Sequence, residues 1–383
     1  MLRDIDVVVN IAATTNFDER YDVALALNTY GAKYVLNFAK KCVNLKLLLH
    51  VSTAYVSGEK PGLMRETPYH LGESLNGTSG LDIDEERKIV EDKLKEVNSD
   101  KYANDNSIKI AMKNLGMQRS NHYGWPNTYV FTKALGEMLI GHLKGDMPVV
   151  IIRPTIVTST YKEPFPGWVE GIRTIDSLAL GYGKGKLTCF LGDPEAVYDV
   201  VPADMVVNAM ITSIAAHANQ TSSETIYHVG SSVSNPVQFT TLQRCAYLYF
   251  TEHPWIGKDG KAVIVGDVKV LNSMASFHRY IALRYLLPLQ VLQFVNFISC
   301  QAFAGTYKNL KRKITFVLRL VDLYKPYLFT KSFYDDINTE KLRRAVREMG
   351  DEENIFYFDP RAINWADYFQ KIHIPGVRHR EFK

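Results

Sequence analysis

Residues 45–53, LKLLLHVST, decide the fold that we expect for this 383-residue chain. The apolar run is short, and Ser52 and Thr53 follow it almost directly. A short, nearly continuous apolar run is typical of a buried parallel strand, and α/β sheets place their ligand sites at the carboxyl ends of such strands. The two hydroxyl side chains are therefore predicted at the carboxyl edge of a parallel sheet.

Two further strands are predicted from similar runs. Residues 6–13, DVVVNIAA, end in Asn10 and two alanines, whose small side chains would let a flat cofactor approach closely. Residues 148–152, PVVII, are followed by residues 153–157, RPTIV. Helical stretches are predicted over residues 21–41 and from Tyr129 to about Leu143. Strands that alternate with helices indicate an α/β fold with a doubly wound parallel sheet.

A Tyr-Lys pair lies in residues 129–133, YVFTK. Residues four apart on a helix share one face, so Lys133 can lie beside Tyr129. A nearby ammonium favours the phenolate, which makes Tyr129 a candidate acid near neutral pH. The pair alone is weak evidence, and by itself it favours an exposed helical pair without chemistry. The predicted strand ends are what favour a catalytic role.

Together these blocks resemble the extended short-chain dehydrogenase/reductases and, within them, the alcohol-forming fatty acyl-CoA reductases of plants. The resemblance rests on residues 10–22 (NIAATTNFDERYD), 28–29 (NT), 50–56 (HVSTAYV), 124–134 (GWPNTYVFTKA), 153–157 (RPTIV) and 199–208 (DVVPADMVVN), and on a tail over about 277–378. It implies a Rossmann-like doubly wound parallel sheet whose first βαβ portion is missing, and a mainly helical C-terminal domain.

The resemblance also implies roles for individual residues. Tyr129 would donate the proton to the developing alkoxide, Lys133 would lower the pKa of Tyr129 and bind the nicotinamide ribose, and Thr53, with Ser52 as second choice, would complete the oxyanion site. NADPH is the cofactor by family likeness. The expected cofactor contacts are Asn10, Ala12, Ala13, Asn28, Tyr129, Lys133, Pro154 and Thr155.

The activity that the resemblance implies is NADPH-dependent reduction of long-chain fatty acyl-CoA to a primary alcohol through a bound aldehyde, in a pathway to wax, suberin or a related lipid. No G-x-G-x-x-G follows a predicted strand, and residues 181–186, GYGKGK, are expected to form a flexible loop. The alternative is therefore a catalytically inactive truncated paralogue or isoform that acts as an interaction protein. A sugar-nucleotide epimerase or dehydratase is a weaker alternative.

The expected domains are a reductase domain over residues 1–258, incomplete at its N-terminus, a linker over 259–272, and a C-terminal helical domain over 273–383. The charged stretch 82–95 is predicted to be a solvated amphipathic helix. Asp204 is predicted to cap a helix that starts at Met205.

Composition limits the partners. The net charge is +4 with Lys and Arg spread along the chain, which argues against nucleic acid. Cys42, Cys189, Cys245 and Cys300 lack metal-ligand spacing, so reduced thiols and no metal site are expected. His50 and His122 are interpreted as structural.

The expected location is intracellular, on the endoplasmic reticulum membrane surface or in the cytoplasm, with a plastid also open, because no signal peptide is recognised. Residues 280–303 are apolar, but Arg284 and Pro288 interrupt them. This pattern favours a buried helix of the tail domain over an interfacial membrane helix. The second interpretation would give the protein a peripheral membrane contact, which suits an enzyme of lipid metabolism.

Overall fold

The computed structural model describes residues 2–58, 60–172, 174–187, 189–220, 224–257, 259–266, 269–348 and 356–381. The strands are β1 (Val7–Asn10), β2 (Leu47–Val51), β3 (Gly62–Met64), β4 (Val149–Pro154), β5 (Ile156–Thr158), β6 (Cys189–Leu191), β7 (Val197–Tyr198), β8 (Val200–Pro202), β9 (Glu224–Val229), β10 (Val237–Gln238), β11 (Lys269–Leu271) and β12 (Ser332–Tyr334).

The helices are α1 (Tyr21–Ala24), α2 (Gly31–Ala39), α3 (Ile83–Ser99), α4 (Asp105–His122), α5 (Thr128–Leu143), α6 (Thr174–Gly183), α7 (Ala203–His217), α8 (Phe239–Glu252), α9 (Met274–Ile281), α10 (Leu287–Ile298), α11 (Ala304–Leu328), α12 (Ile337–Glu348), α13 (Trp365–Asp367) and α14 (Ile374–Glu381). Wide π turns continue α1 into α2 (Leu25–Tyr30), α9 into α10 (Ala282–Leu286) and α13 into α14 (Tyr368–His373).

The central sheet has the strand order β1-β2-β4-β9, and every pair is parallel. Its middle strands β2 and β4 are almost wholly buried, which matches their continuous apolar runs. Helices α2 and α5 pack on one face through the cluster that contains Leu36, Ile140 and Leu48, and α7 packs against β2 and β4. The predicted doubly wound parallel sheet is confirmed.

Strand β1 lies at the edge of this sheet, with β2 as its one partner among the described residues. Val9 is 42% exposed and Ile11 is 61% exposed. A strand at the edge of a sheet has no neighbour on one side, which agrees with the exposure of these two side chains.

Residues 82–95 do form a helix, α3, and Asp82 caps its first turn. One face of α3 packs into the core, however, and the Glu86 carboxylate is buried against Arg119 and accepts a hydrogen bond from the Tyr21 hydroxyl. The prediction of a solvated helix is therefore wrong for this face, because Glu86 has a cation and a phenol as partners and does not need water.

The described residues form two compact units, each made of separate segments. The first comprises Met1–Val169, Asp199–Val237 and Lys331–Asn364, and the second comprises Glu170–Tyr198, Gln238–Thr330 and Trp365–Lys383. The sequence predicted contiguous domains, with a linker whose residues 267–268 lie outside the described residues. The structure differs because β12, from the tail, pairs in parallel with β3 of the first unit.

In the second unit, residues 181–186 are not the predicted flexible loop. Helix α6 extends to Gly183, and a turn follows it. A Cβ at Gly183 would lie 2.4 Å from the Phe250 ring. This glycine therefore allows α6 and α8 to pack closely, and it does not form a phosphate-binding turn.

The apolar segment of the second unit also differs from the prediction. Met274–Ile298 is one continuous helix, long and apolar enough to cross a membrane, and only 6% of its apolar window is buried. Phe277 and Ile281 pack against Leu191 and Leu271, but no residue of α10 is buried. The buried tail helix favoured by the sequence is wrong, because hydropathy does not reveal whether a partner surface exists. Pro288 does not interrupt the helix, and it follows directly on the π turn Ala282–Leu286, where the regular hydrogen-bond pattern is already altered.

Asp204 lies in the first turn of α7, one residue after the helix begins. Its carboxylate accepts hydrogen bonds from the backbone N–H groups of residues 161–163. The predicted helix cap is therefore wrong, and Asp204 instead holds the chain that follows β5.

Candidate active site

Helix α5 carries the Tyr-Lys pair. Asn127 begins the helix because its side chain accepts a hydrogen bond from the Val130 N–H. One turn separates Tyr129 from Lys133, and the ring of Phe17 stacks on Tyr129 with centroids 5.4 Å apart. Tyr129 is partly exposed, whereas Lys133 and Thr53 are buried, so a ligand would reach Tyr129 first.

The Lys133 ammonium lies at the carboxyl end of β2. Its Nζ donates to the Val51 carbonyl oxygen at 2.7 Å and lies 3.4 Å from His50 Nε2. Burial lowers the pKa of Lys133 to about 8, and the charge of Glu137 on the same helix opposes this shift. Lys133 can therefore change its charge near physiological pH, as a residue that assists proton transfer must.

Two hydroxyls follow β2. Thr53 precedes the short 3-10 turn Ala54–Ser57, where its Oγ1 accepts from the Tyr55 N–H and lies 3.5 Å from the Pro154 carbonyl oxygen. Ser52 Oγ is buried without a hydrogen-bond partner in the part of the chain that the structure describes. Thr53 thus lies at the carboxyl end of β2, as the sequence predicted. The hydroxyl of Ser52, the second choice for the oxyanion site, has fewer hydrogen bonds than that of Thr53.

The end of β1 supplies the third side of the site. Asn10 Nδ2 lies 3.0 Å from His50 Nδ1, and Ala12 and Ala13 are exposed. Pro154 ends β4, and the Thr155 N–H donates to the Val229 carbonyl oxygen on the neighbouring strand. All of these predicted residues lie at one edge of the sheet, as parallel strands require.

Asn28 has a structural task that the sequence did not reveal. Its amide accepts from the Thr14 N–H at 3.0 Å and donates both to the Thr14 carbonyl oxygen and to Thr132 Oγ1 on α5. Asn28 therefore links the chain after β1 to α5. It lies within a π turn, a feature that is frequent at functional sites. Its predicted contact with the cofactor stays a prediction.

His50 is the functional candidate that sequence reasoning missed. It joins Asn10 to Lys133, although these residues lie 40 positions before it and 83 positions after it. Contacts of such separation leave no local pattern in the sequence. The strand position of His50, directly before the hydroxyl residues, is the one feature that points toward the site.

A cavity of about 660 Å³ opens beside the 3-10 turn. Its wall includes Ser57 from that turn, the cations Lys60 and Arg65, and several hydroxyl side chains. Among the described residues, no group of three or more His, Cys, Asp or Glu side chains is arranged to hold a metal ion.

The sequence of the chain matches a known protein family. An NAD-binding family model described as male sterility protein matches residues 1–210, and a second model with the same description matches residues 284–383. The alcohol-forming fatty acyl-CoA reductase of Simmondsia chinensis is 60% identical over 98% of this chain and 76% of its own length. The chain belongs to the male sterility family of fatty acyl-CoA reductases.

Other members of the family are also similar over nearly the whole chain. Fatty acyl-CoA reductase 1 of Arabidopsis thaliana is 51% identical over 98% of this chain and 76% of its own length. The chloroplastic fatty acyl-CoA reductase 2 of the same plant is 40% identical over 100% of this chain and 62% of its own length. The resemblance stated from the sequence motifs is confirmed.

Solved structures show the same fold at low identity. The UDP-glucuronic acid 4-epimerase of Bacillus cereus, solved with NAD, has a TM-score of 0.51 and 12% identity over 98% of this chain and 76% of that one. The terminal R domain of the myxalamid biosynthetic pathway has a TM-score of 0.52 and 15% identity over 99% of this chain and 69% of that one. The predicted Rossmann-like class is confirmed.

The sheet edge fits the nicotinamide cofactor expected of this reductase family. Lys133 makes two polar contacts within the described residues, so one of its three N–H donors remains for a ligand. The Ser52 hydroxyl is an unused polar group at the same edge, and the two alanines after β1 present little bulk. These features suit ribose hydroxyls and a flat ring.

Proposed function

We propose that the chain catalyses the NADPH-dependent reduction of long-chain fatty acyl-CoA to a primary alcohol, with the aldehyde held between two reductive steps. The supporting observation is the position of Lys133, whose Nζ lies 2.7 Å from the Val51 carbonyl oxygen at the sheet edge, one helical turn from Tyr129. The preference for NADPH over NADH rests on family likeness.

Two NADPH molecules, bound one after the other, would supply one hydride each, the first to the thioester carbon and the second to the aldehyde carbon after NADP⁺ has left. Both steps build negative charge on the carbonyl oxygen. Tyr129 would donate a hydrogen bond and then its proton to that oxygen, and the Lys133 ammonium would favour the resulting phenolate. A hydroxyl of Thr53 or Ser52 would be the second donor, as in an oxyanion site. Release of CoA thiol gives the aldehyde, and a second protonation gives the alcohol.

The first experiment combines binding and turnover. NADPH binding to the purified chain is measured by calorimetry, and fatty alcohol is then measured after a long-chain acyl-CoA is added. We expect binding by both wild type and Tyr129→Phe, and alcohol from the wild type at 10²-fold or more the rate of the variant, since about this factor comes from general acid catalysis. Tyr34→Phe, which removes the hydroxyl of an exposed tyrosine, is the matched control. Equal alcohol formation by wild type and Tyr129→Phe would reject the assigned role.

A second candidate is a catalytically inactive interaction protein. The outer edge of β1 favours it, because β1 pairs with β2 alone within the part of the chain that the structure describes, and an edge strand can accept a strand from a partner. A well-folded chain that binds no NADPH would make this candidate the better one.

We also propose contact with a membrane surface, through α10 and α11. The side chains of Phe294 and Phe297 are 66% and 82% exposed. Residues 273–321 contain seven Lys or Arg and no Asp or Glu, a formal charge of +7 in a chain of +4, so the remainder carries −3. Exposed apolar side chains beside concentrated positive charge match an anionic lipid surface.

An interfacial position is favoured over a spanning one. Phe277 and Ile281 are buried in the second unit, and Tyr285 and Leu286 pack against the same cluster. The remaining residues of the helix, 287–298, have no buried side chain and measure about 18 Å at 1.5 Å per residue. The hydrocarbon core of a bilayer is about 30 Å thick, so this part is too short to cross it. The proposed location is the endoplasmic reticulum surface or the cytoplasm, with a plastid as the alternative.

Vesicle flotation tests this contact. We expect binding to phosphatidylcholine vesicles that contain phosphatidylserine, weaker binding in high salt, and a loss of at least tenfold in Phe294→Ser/Phe297→Ser. Ile264→Ser, at a side chain that is 94% exposed elsewhere in the same unit, is the control. Equal flotation of the double variant and the wild type would show that another surface binds lipid.

A further inference from the structure

His50 lies between Asn10 and Lys133, two residues that are predicted to contact the cofactor. Its ring is fully buried, with Nδ1 3.0 Å from the Asn10 amide and Nε2 3.4 Å from Lys133 Nζ. Burial, reinforced by the neighbouring Lys133, holds the pKa of His50 well below its usual range. The imidazole is therefore neutral, with one N–H donor and one acceptor nitrogen.

The charge of Lys133 decides which nitrogen of His50 carries the hydrogen. An ammonium has donors only, so while Lys133 is charged, Nε2 must accept and Nδ1 must carry the hydrogen. Asn10 must then turn its carbonyl oxygen to Nδ1, and its N–H donors face the sheet edge. When Lys133 is neutral, Nε2 can donate to it, Nδ1 accepts from Asn10 Nδ2, and the Asn10 oxygen faces the edge.

We propose that His50 is a positioning residue that couples the charge of Lys133 to the hydrogen-bonding face that Asn10 presents to the cofactor. The inference rests on the proposed function, because it concerns the same site. The proton exchanged with solvent is that of the ammonium. The imidazole stays neutral and changes only which nitrogen carries its hydrogen.

The surroundings place this change in a useful pH range. Burial lowers the pKa of Lys133 to about 8, Glu137 opposes the shift, and Glu137 is itself bound to Arg153 of β4. Tyr129, one turn before Lys133 on the same helix, is a further titratable side chain of the candidate site. The donor face of Asn10 should therefore prevail below about pH 8, and its acceptor face above it.

Nitrogen NMR of the wild-type chain tests the coupling without any need for activity. In protein labelled with ¹⁵N-histidine, a ring nitrogen that carries hydrogen and one that does not give separate resonances. The His50 signals are assigned by their loss in His50→Gln. We expect hydrogen on Nδ1 at pH 6.5 and on Nε2 at pH 9.5. The same tautomer at both pH values would overturn the proposal, whether or not the chain reduces acyl-CoA.

A double-mutant cycle on NADPH binding gives the second test. In Asn10→Asp the carboxylate only accepts, which keeps hydrogen on Nδ1 and favours the Lys133 ammonium. We expect the pH midpoint of NADPH affinity to rise by about one pH unit, and most of this rise to vanish in the His50→Gln background. A rise that persists there is a direct charge effect of the carboxylate and contradicts the coupling. If His50→Gln does not fold, the wild-type NMR result still decides, with assignment by ring-to-backbone correlation.

Discussion

Arg153 of β4 and Glu137 of α5 form a salt bridge of 2.6 Å in which the side chains are 0% and 1% exposed. Arg153 also packs against the Tyr69 ring, and its Nη1 has no hydrogen-bond partner within the described residues. The pair joins the sheet to α5 one turn beyond Lys133. Its charges are withdrawn from water, so each depends strongly on the other.

Replacing one member of this pair should strongly destabilise the folded chain. We expect Glu137→Gln to lower the free energy of unfolding by about 3–5 kcal/mol, because a buried guanidinium would lose its counterion. Urea unfolding followed by circular dichroism measures it. Glu91→Gln, which breaks the exposed Arg87–Glu91 pair, should have little effect, because water screens the two charges. The double variant Glu137→Leu/Arg153→Met should be closer to wild type than Glu137→Gln, and a similar loss in all three would contradict this account.

The pH dependence of the free energy of unfolding should reveal the lowered pKa of Lys133. Its folded pKa of about 8 is below the value of 10.5 for a free lysine, so between these values the unfolded chain binds the extra proton. The free energy of unfolding should therefore gain a contribution as pH rises from about 8 to 10.5, on the order of 1–3 kcal/mol. The measurement is the difference between wild-type and Lys133→Met denaturation curves at each pH. A difference that does not change with pH would exclude the shift.

Glu66 should change the free energy of unfolding in the acidic range, in the opposite direction to Lys133. Its carboxylate accepts hydrogen bonds from the backbone N–H groups of His228 and Asn338, but burial outweighs them and raises the pKa of Glu66 to about 7. Here the folded chain holds the extra proton, so stability should fall as pH rises from about 4.5 to 7. Thermal unfolding of wild type and Glu66→Gln across this range should diverge, and parallel curves would refute the prediction.

Two glycines of α5 offer a matched comparison. A Cβ at Gly136 would lie 2.5 Å from the Asn28 carbonyl oxygen, whereas one at Gly141 would lie 3.4 Å from the Glu224 carboxylate oxygens. We expect Gly136→Ala to destabilise the chain by about 1–3 kcal/mol and to weaken NADPH binding, because backbone atoms must move. Gly141→Ala should be neutral or stabilising, since alanine is the better helix former. Equal effects in denaturant unfolding would argue against close packing at Asn28.

The cavity beside Ser57 is our candidate for the CoA moiety of the substrate. Lys60 and Arg65 in its wall could attract phosphate groups. We expect Lys60→Gln/Arg65→Gln to raise the KM for acyl-CoA about tenfold with little change in kcat, and to leave the KM for an acyl-pantetheine, which lacks the nucleotide phosphates, nearly unchanged. Initial-rate kinetics with both substrates decide the matter. An equal rise for both would place the phosphates elsewhere.

Local patterns predicted the sheet edge well. The apolar runs before Ser52 and Pro154 are buried strands, and the spacing of Tyr129 and Lys133 is realised on one helix. These features depend on periodicity within a few residues, which a sequence displays directly. The catalytic assignments themselves stay predictions until the variants are measured.

Such local patterns could not predict contacts between residues that lie far apart in the chain. The link through His50, the clamp by Asn28 and the burial of Glu86 each join segments that lie far apart in the chain. Asp204 illustrates another limit, because an acidic residue at the start of a helix can cap that helix or hold a neighbouring loop. Hydropathy likewise could not show that α10 has an uncovered surface.

The open edge of β1 has a practical consequence for the purified protein. The backbone groups on the outer side of β1, next to the exposed Val9 and Ile11, have no strand partner in the described ranges and can pair with the same edge of a second molecule. Aggregation should therefore grow steeply with protein concentration and be visible by light scattering before any loss of secondary structure. Replacing Val9 with lysine, a charge that natural edge strands use against such pairing, should delay it. The exposed side chains that flank Asn10 thus carry a colloidal risk for the molecule as a whole.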